Sequence, residues 1–249
     1  MNGKIRTTLL GVIQVLIYII LNGIIYQILA LMFQNTSVPY NLLAIISHLI
    51  CLPLLLRWRR LERMKIMIAP RKQATGGVVV LALVIAPLLN NLIYLSNIMK
   101  TSGNYQNVNE SFGEGAAIWL FLYTVIMTPI AEELLYRGIL YEKIKECYRP
   151  VWGILISAIV FGIVHANIPQ FFYATGVGVI LALVYRQGGL RWCIMTHAAV
   201  NLLALVRRFD WIASWEGERE HILYESAILA IAGIVIVLLM IRKIQKIKY

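Results

Sequence analysis

The chain has 249 residues, of which 60% are hydrophobic and 14% charged, with a mean hydropathy of +0.74. Soluble domains carry about 25% charged residues to keep their surface wet, so this composition excludes an ordinary water-soluble fold and points to a chain that uses lipid as solvent. Three scattered cysteines, Cys51, Cys147 and Cys193, form neither a disulfide framework nor a CxxC zinc motif, and the net charge of +11 is a matter of topology, as the positions of the charges show.

Apolar runs predict an all-α, multi-pass transmembrane helical bundle with about eight spans, near 8–33, 40–56, 75–96, 116–136, 151–167, 170–186, 192–206 and 222–241. A helix needs about 20 residues to cross the hydrocarbon, and an open chain there must be helical because every backbone N–H and C=O has to be paired internally. The first run is too long for a signal-peptide core and no small-residue cleavage site follows it, so it reads as a retained first helix. Residues 57–73, with Leu61, Met64 and Ile68 on one face among basic side chains, suit an interfacial helix. Residues 97–115 are rich in Asn, Gly and Ser and read as an outward loop. With the N-terminus placed in the cytoplasm, the inner segments hold nineteen Lys and Arg and the outer ones four. That bias puts both termini inside. It also assigns the basic balance to topology and anionic headgroups, so no nucleic-acid partner is implied.

The informative residues are those that lipid should have excluded, since a carboxylate near the bilayer centre costs roughly 2.5–3.5 kcal/mol. The fourth span holds Glu132 and Glu133, which point about 100° apart on a helix; Glu133 and Arg137, at i and i+4, favour an ion pair. The alternative is that the acids only mark the cytoplasmic end of the helix, with Arg137 snorkelling. The fifth span carries His165 one turn after Phe161, with Gly162 allowing close approach of another helix. The seventh places His197 and Asn201 at i and i+4 with Ala198 and Ala199 between them. Each histidine could be a packing residue, but three helices bringing costly polar groups are satisfied most cheaply in one shared pocket. His48, Asn90 and Asn91 belong to no motif and read as packing or cavity-lining. A carboxylate and an imidazole can hold and deprotonate water. A second imidazole with an amide N–H can stabilise a tetrahedral oxyanion.

The segments EELLYR (132–137), FGIVH (161–165) and HAAVN (197–201) resemble, in order, the EExxxR, FxxxH and HxxxN motifs of the CAAX protease and bacteriocin-processing family of intramembrane endopeptidases. The resemblance covers about residues 116–206. It divides the chain into an N-terminal three-helix membrane region (1–115), a catalytic core (116–206), and an outer loop with a final helix and basic tail (207–249). It implies that Glu132 and His165 activate water, that His197 and Asn201 hold the oxyanion, and that Glu133 and Arg137 support the helix. No cofactor is expected; the alternative is zinc on Glu132, His165 and His197 in a His₂Glu arrangement. The expected activity is endopeptidase cleavage, near the cytoplasmic side of the cell membrane, of membrane-associated peptides or proteins. Processing of peptide pheromones or bacteriocins, or self-immunity, is the setting implied. The competing expectations are a non-catalytic bacteriocin-immunity or scaffold protein and a small transporter, the latter opposed by the lack of repeated broken helices.

Overall fold

A computed structural model describes residues 3–61, 75–96, 98, 117–207 and 219–246. The expected interfacial segment beyond Leu61 and the outward loop 97–115 lie outside these, apart from Ile98. The described residues contain no strand and seven helical elements: α1 (Gly3–Met32), α2 (Tyr40–Leu61), α3 (Thr75–Leu95), α4 (Ala117–Cys147), α5 (Pro150–Ile163), α6 (Ile168–Val206) and α7 (Arg219–Lys246). Six of them are long and apolar enough to cross a membrane, against the eight spans expected. The difference has two causes. Helix α5 has 14 residues, about 21 Å at 1.5 Å per residue, short of a hydrocarbon core of about 30 Å. Helix α6 joins the sixth and seventh spans across Gly189, whose φ of 75° and ψ of −174° are not helical.

Helix α6 is a hairpin. Cys193 Sγ lies 3.1 Å from the Leu181 carbonyl, although twelve residues of straight helix would separate them by about 18 Å. The chain therefore reverses at Gly188–Gly189, and its two arms run antiparallel, as two spans would. Only glycine occupies this backbone region readily.

Helix α4 differs from expectation in length. The fourth span was read to end at residue 136, but the helix continues to Cys147, and Glu132 is the sixteenth of its 31 residues (132 − 117 + 1). Two π-helical stretches, Leu122–Met127 and Tyr136–Tyr141, flank the α-helical Thr128–Leu135. Such wider turns are frequent at functional sites.

Helix α6 packs against α5, α4 and α3; α7 covers α3; α1 and α2 pair and lie against α4. Close approaches make this possible. A Cβ at Gly162 would collide with Thr175 and Phe171 of α6, and one at Gly178 would press on Ala158 and Phe161 of α5. The lipid-facing sides remain apolar, as with Ile20, Ile24 and Ile28 on α1 and Ile228, Ile231 and Ile234 on α7. The basic segments meet at one end of the bundle. Lys4 sits over the Tyr148 ring at 5.9 Å, Arg59 lies beside Gly138, and Gly77 at the start of α3 touches Met240 near the end of α7.

Candidate active site

Glu133 and Arg137 are completely buried, and Arg137 Nη1 donates to Glu133 Oε1 at 3.0 Å. The reading of this pair as a helix-end marker with a snorkelling arginine is corrected: α4 continues past it, and Arg137 Nη2 turns inward to the Gly178 carbonyl at 3.0 Å. Arg137 also stacks over Phe161, its guanidinium carbon 5.0 Å from the ring centroid. A carboxylate buried this completely needs every donor it can find. Glu133 receives two more: His197 Nδ1 at 2.7 Å and Cys193 Sγ at 2.8 Å.

Glu132 points elsewhere, as adjacent helical positions require. Its side chain is 24% exposed and its Oε2 lies 3.7 Å from His197 Nε2. The His197 ring therefore stands between the two carboxylates, one nitrogen toward each. With Nδ1–H committed to Glu133, Nε2 is the atom that faces Glu132 and the space beyond.

His165 follows the end of α5, its Nδ1 2.7 Å from the Phe161 carbonyl and its ring edge-on to Phe161 at 5.0 Å. It is held by a tight turn. Ala166 adopts a left-handed φ of 56°. Asn167 then caps α6, its Oδ1 accepting from Gln170 N–H at 2.9 Å and its Nδ2 donating to the His165 carbonyl at 3.1 Å.

Asn201 donates from Nδ2 to the Thr124 carbonyl at 2.8 Å. The π turn explains why that carbonyl is available. The Thr128 N–H bonds to Tyr123 rather than to Thr124, and the next residue, Pro129, has no N–H to offer. The contact fixes the amide so that its second N–H stays unspent.

These groups share a cavity of about 350 Å³. Glu132, His165, His197 and Asn201 all line it, together with Thr128 and Phe161. Its remaining walls are Leu120, Tyr123 and Thr124 of α4, Gln170, Tyr173, Ala174 and Val177 of the first α6 arm, and Ala204 and Leu205 of the second. Glu133 and Arg137 lie behind His197 and do not line it. As zinc ligands, Glu132, His165 and His197 fit poorly: among the described residues no three His, Cys, Asp or Glu side chains stand together as a metal would need.

One feature escaped the sequence reading. The Cys193 thiol bonds Glu133, and nothing in the spacing distinguishes such a thiol from a packing one. His48, expected to be a packing or cavity-lining residue, packs edge-on between Tyr18 at 6.3 Å and Tyr123 at 5.7 Å, with Nδ1 2.9 Å from the Ala44 carbonyl. Its neighbour Tyr123 carries it to the cavity wall. Asn91 joins Arg207 and Glu225 in a polar cluster between α3, α6 and α7, with contacts of 2.8–3.1 Å.

Residues 114–203 match the family model described as type II CAAX prenyl endopeptidase Rce1-like. The chain is 25% identical over 123 residues to the "Putative membrane peptidase YdiL" of Bacillus subtilis, covering 49% of this chain and 50% of that protein. It is 26% identical over 100 residues to an uncharacterized protein of Mycoplasma capricolum, covering 36% of this chain and 27% of that one. The chain thus spans half or less of the length of these curated relatives. No solved structure matches it. The matched segment contains all three motifs and every polar group at the floor of the cavity, and through residues 114–203 this membrane protein resembles the CAAX prenyl endopeptidase Rce1-like family.

Proposed function

We propose that the chain is a membrane-embedded endopeptidase acting on membrane-associated peptides or proteins of the cell membrane, with residues 116–206 as its catalytic core. The observation that carries this reading is the convergence of Glu132, His165, His197 and Asn201 on one cavity inside an apolar bundle. A recessed space lined by a carboxylate, two imidazoles and an amide is an arrangement for polar chemistry within an apolar bundle.

Glu132, the partly exposed acid, is the general base. Together with His165 it holds a water and takes its proton as the oxygen attacks the peptide carbonyl. His197, whose Nδ1 is anchored on Glu133, presents Nε2–H when protonated, and Asn201 presents its second N–H; both donate to the oxyanion of the tetrahedral intermediate. Glu132 then returns the proton to the departing amine, so the base regenerates itself. Glu133 and Arg137 keep His197 in place. No metal enters these steps. Processing of secreted peptides, such as pheromones or bacteriocins, or self-immunity against them, is the biological setting proposed.

Glu132→Gln keeps the size of the side chain and removes the base. The expected result, in proteoliposomes with an internally quenched, lipid-anchored peptide as probe, is a fall in kcat of about 10²–10⁴-fold at unchanged protein abundance. Phenanthroline and EDTA should leave the parent rate unaltered. Retention of the parent rate by Glu132→Gln overturns the glutamate mechanism, and loss of activity on chelation overturns its metal independence.

A further inference from the structure

Beyond the reactive groups the cavity is walled mainly by apolar side chains, among them Leu120, Ala174, Val177, Ala204 and Leu205. A peptide drawn into such a space carries main-chain N–H and C=O groups on both sides of the bond to be cut, and leaving them unpaired there is costly. Thr124 has little to offer: its hydroxyl donates to the Leu120 carbonyl at 2.8 Å, and its own carbonyl accepts from Asn201. Gln170 is different. Its side chain lines the cavity and is held at one end by Asn167.

The hydrogen bonds decide which end is held. Asn167 accepts the Gln170 main-chain N–H at 2.9 Å, so the atom that does this must be oxygen, Oδ1. The other fork of Asn167 is then the donor Nδ2, which reaches the His165 carbonyl at 3.1 Å and the Gln170 side chain at 2.8 Å. Only Oε1 of Gln170 can accept there. Both N–H groups of Gln170 Nε2 therefore lie on the fork that Asn167 does not engage. Backbone strain marks the same place. Ala166 keeps a left-handed φ of 56°, which persists only where the surroundings over-determine it. Asn167 supplies that constraint by tying the His165 main chain to the first turn of α6 and to the Gln170 amide.

We infer that Gln170 is a substrate-binding residue whose Nε2–H donates to a main-chain carbonyl flanking the scissile bond, and that Asn167 is the residue that positions it. His197 and Asn201 serve the scissile carbonyl itself; Gln170 holds the chain beside it. The contact recognises peptide backbone, whatever side chain stands at that position. This deepens the peptidase reading and rests on it for the word substrate.

The test measures binding in the Glu132→Gln protein, so that hydrolysis does not enter. The probes are the lipid-anchored peptide and a series in which each amide flanking the scissile bond is replaced in turn by a trans-alkene, which keeps its shape and removes its carbonyl. Adding Gln170→Met, close in size but without a donor, should weaken binding of the all-amide peptide about five- to tenfold, the loss of one neutral hydrogen bond. One alkene peptide should bind the unaltered site just as weakly and lose nothing further on Gln170→Met. Asn167→Asp presents an acceptor to Gln170 and turns its amide over, so it should reproduce the loss with Gln170 intact. Unchanged binding of the all-amide peptide by Gln170→Met, or a Gln170→Met loss that every alkene peptide shows in full, overturns the inference. The second outcome is what a merely structural glutamine would give. Either leaves the peptidase reading standing, because that reading is decided by the activity of Glu132→Gln against the parent.

Discussion

At the scale of single residues, the two adjacent glutamates do different work because lipid treats them differently. Glu133 is enclosed by Arg137, His197 and Cys193, whereas Glu132 keeps 24% of its side chain open. Removing one member of a buried pair leaves an uncompensated charge, at a cost of about 3–5 kcal/mol. Arg137→Met should therefore lower the melting temperature in detergent sharply. The double variant Glu133→Gln with Arg137→Met should recover most of that loss, since no charge is stranded and the glutamine can still accept from His197; a double variant no more stable than the single one would refute this account. The polar residues were legible in the sequence because lipid makes each of them conspicuous. Cys193 was not, because a thiol hydrogen bond leaves no trace in composition or spacing. The inward turn of Arg137 was missed for a related reason: its destination, the Gly178 carbonyl, is 41 residues away.

At the scale of elements, apolar length located every helix among the described residues, but periodicity did not give their ends or internal breaks. Helix α4 runs on to Cys147 because its polar C-terminal third is buried: Tyr185 donates to Glu142 at 2.9 Å, and Lys145 pairs with the same carboxylate at 2.6 Å. The π turn before Pro129 is a consequence of main-chain bonding that a hydrophobicity pattern does not encode. The two unusual backbone positions predict opposite mutational signs. Gly189→Ala forces a side chain into a glycine-only region and should cost about 1–3 kcal/mol, loosening the α6 hairpin that sets His197 opposite Val177. Ala166→Gly relieves a left-handed alanine beside His165 and should be neutral or stabilising by up to about 1 kcal/mol, the penalty of such a conformation being about 1–2 kcal/mol. Thermal unfolding of both variants in one detergent checks the signs.

At the scale of the whole molecule, the count of six long helices and the reading of eight spans are reconciled by one hairpin and one short helix. That short helix has a mechanical consequence for the surrounding bilayer. Helix α5 leaves the turn carrying His165 about 9 Å short of a full hydrocarbon thickness of about 30 Å, with Ile163 and Ile168 exposed on either side of it. Acyl chains next to this turn must bend to cover those two isoleucines, which dimples the leaflet above the cavity; mismatch of this kind costs fractions of a kcal/mol per Å. Hydrolysis of the lipid-anchored probe should accordingly be faster in vesicles of short-chain phosphatidylcholine than in long-chain ones, and a rate indifferent to chain length would show that the bilayer does not yield there. A protein shaped in this way would meet a peptide bond partway down, with the bilayer itself thinned toward it.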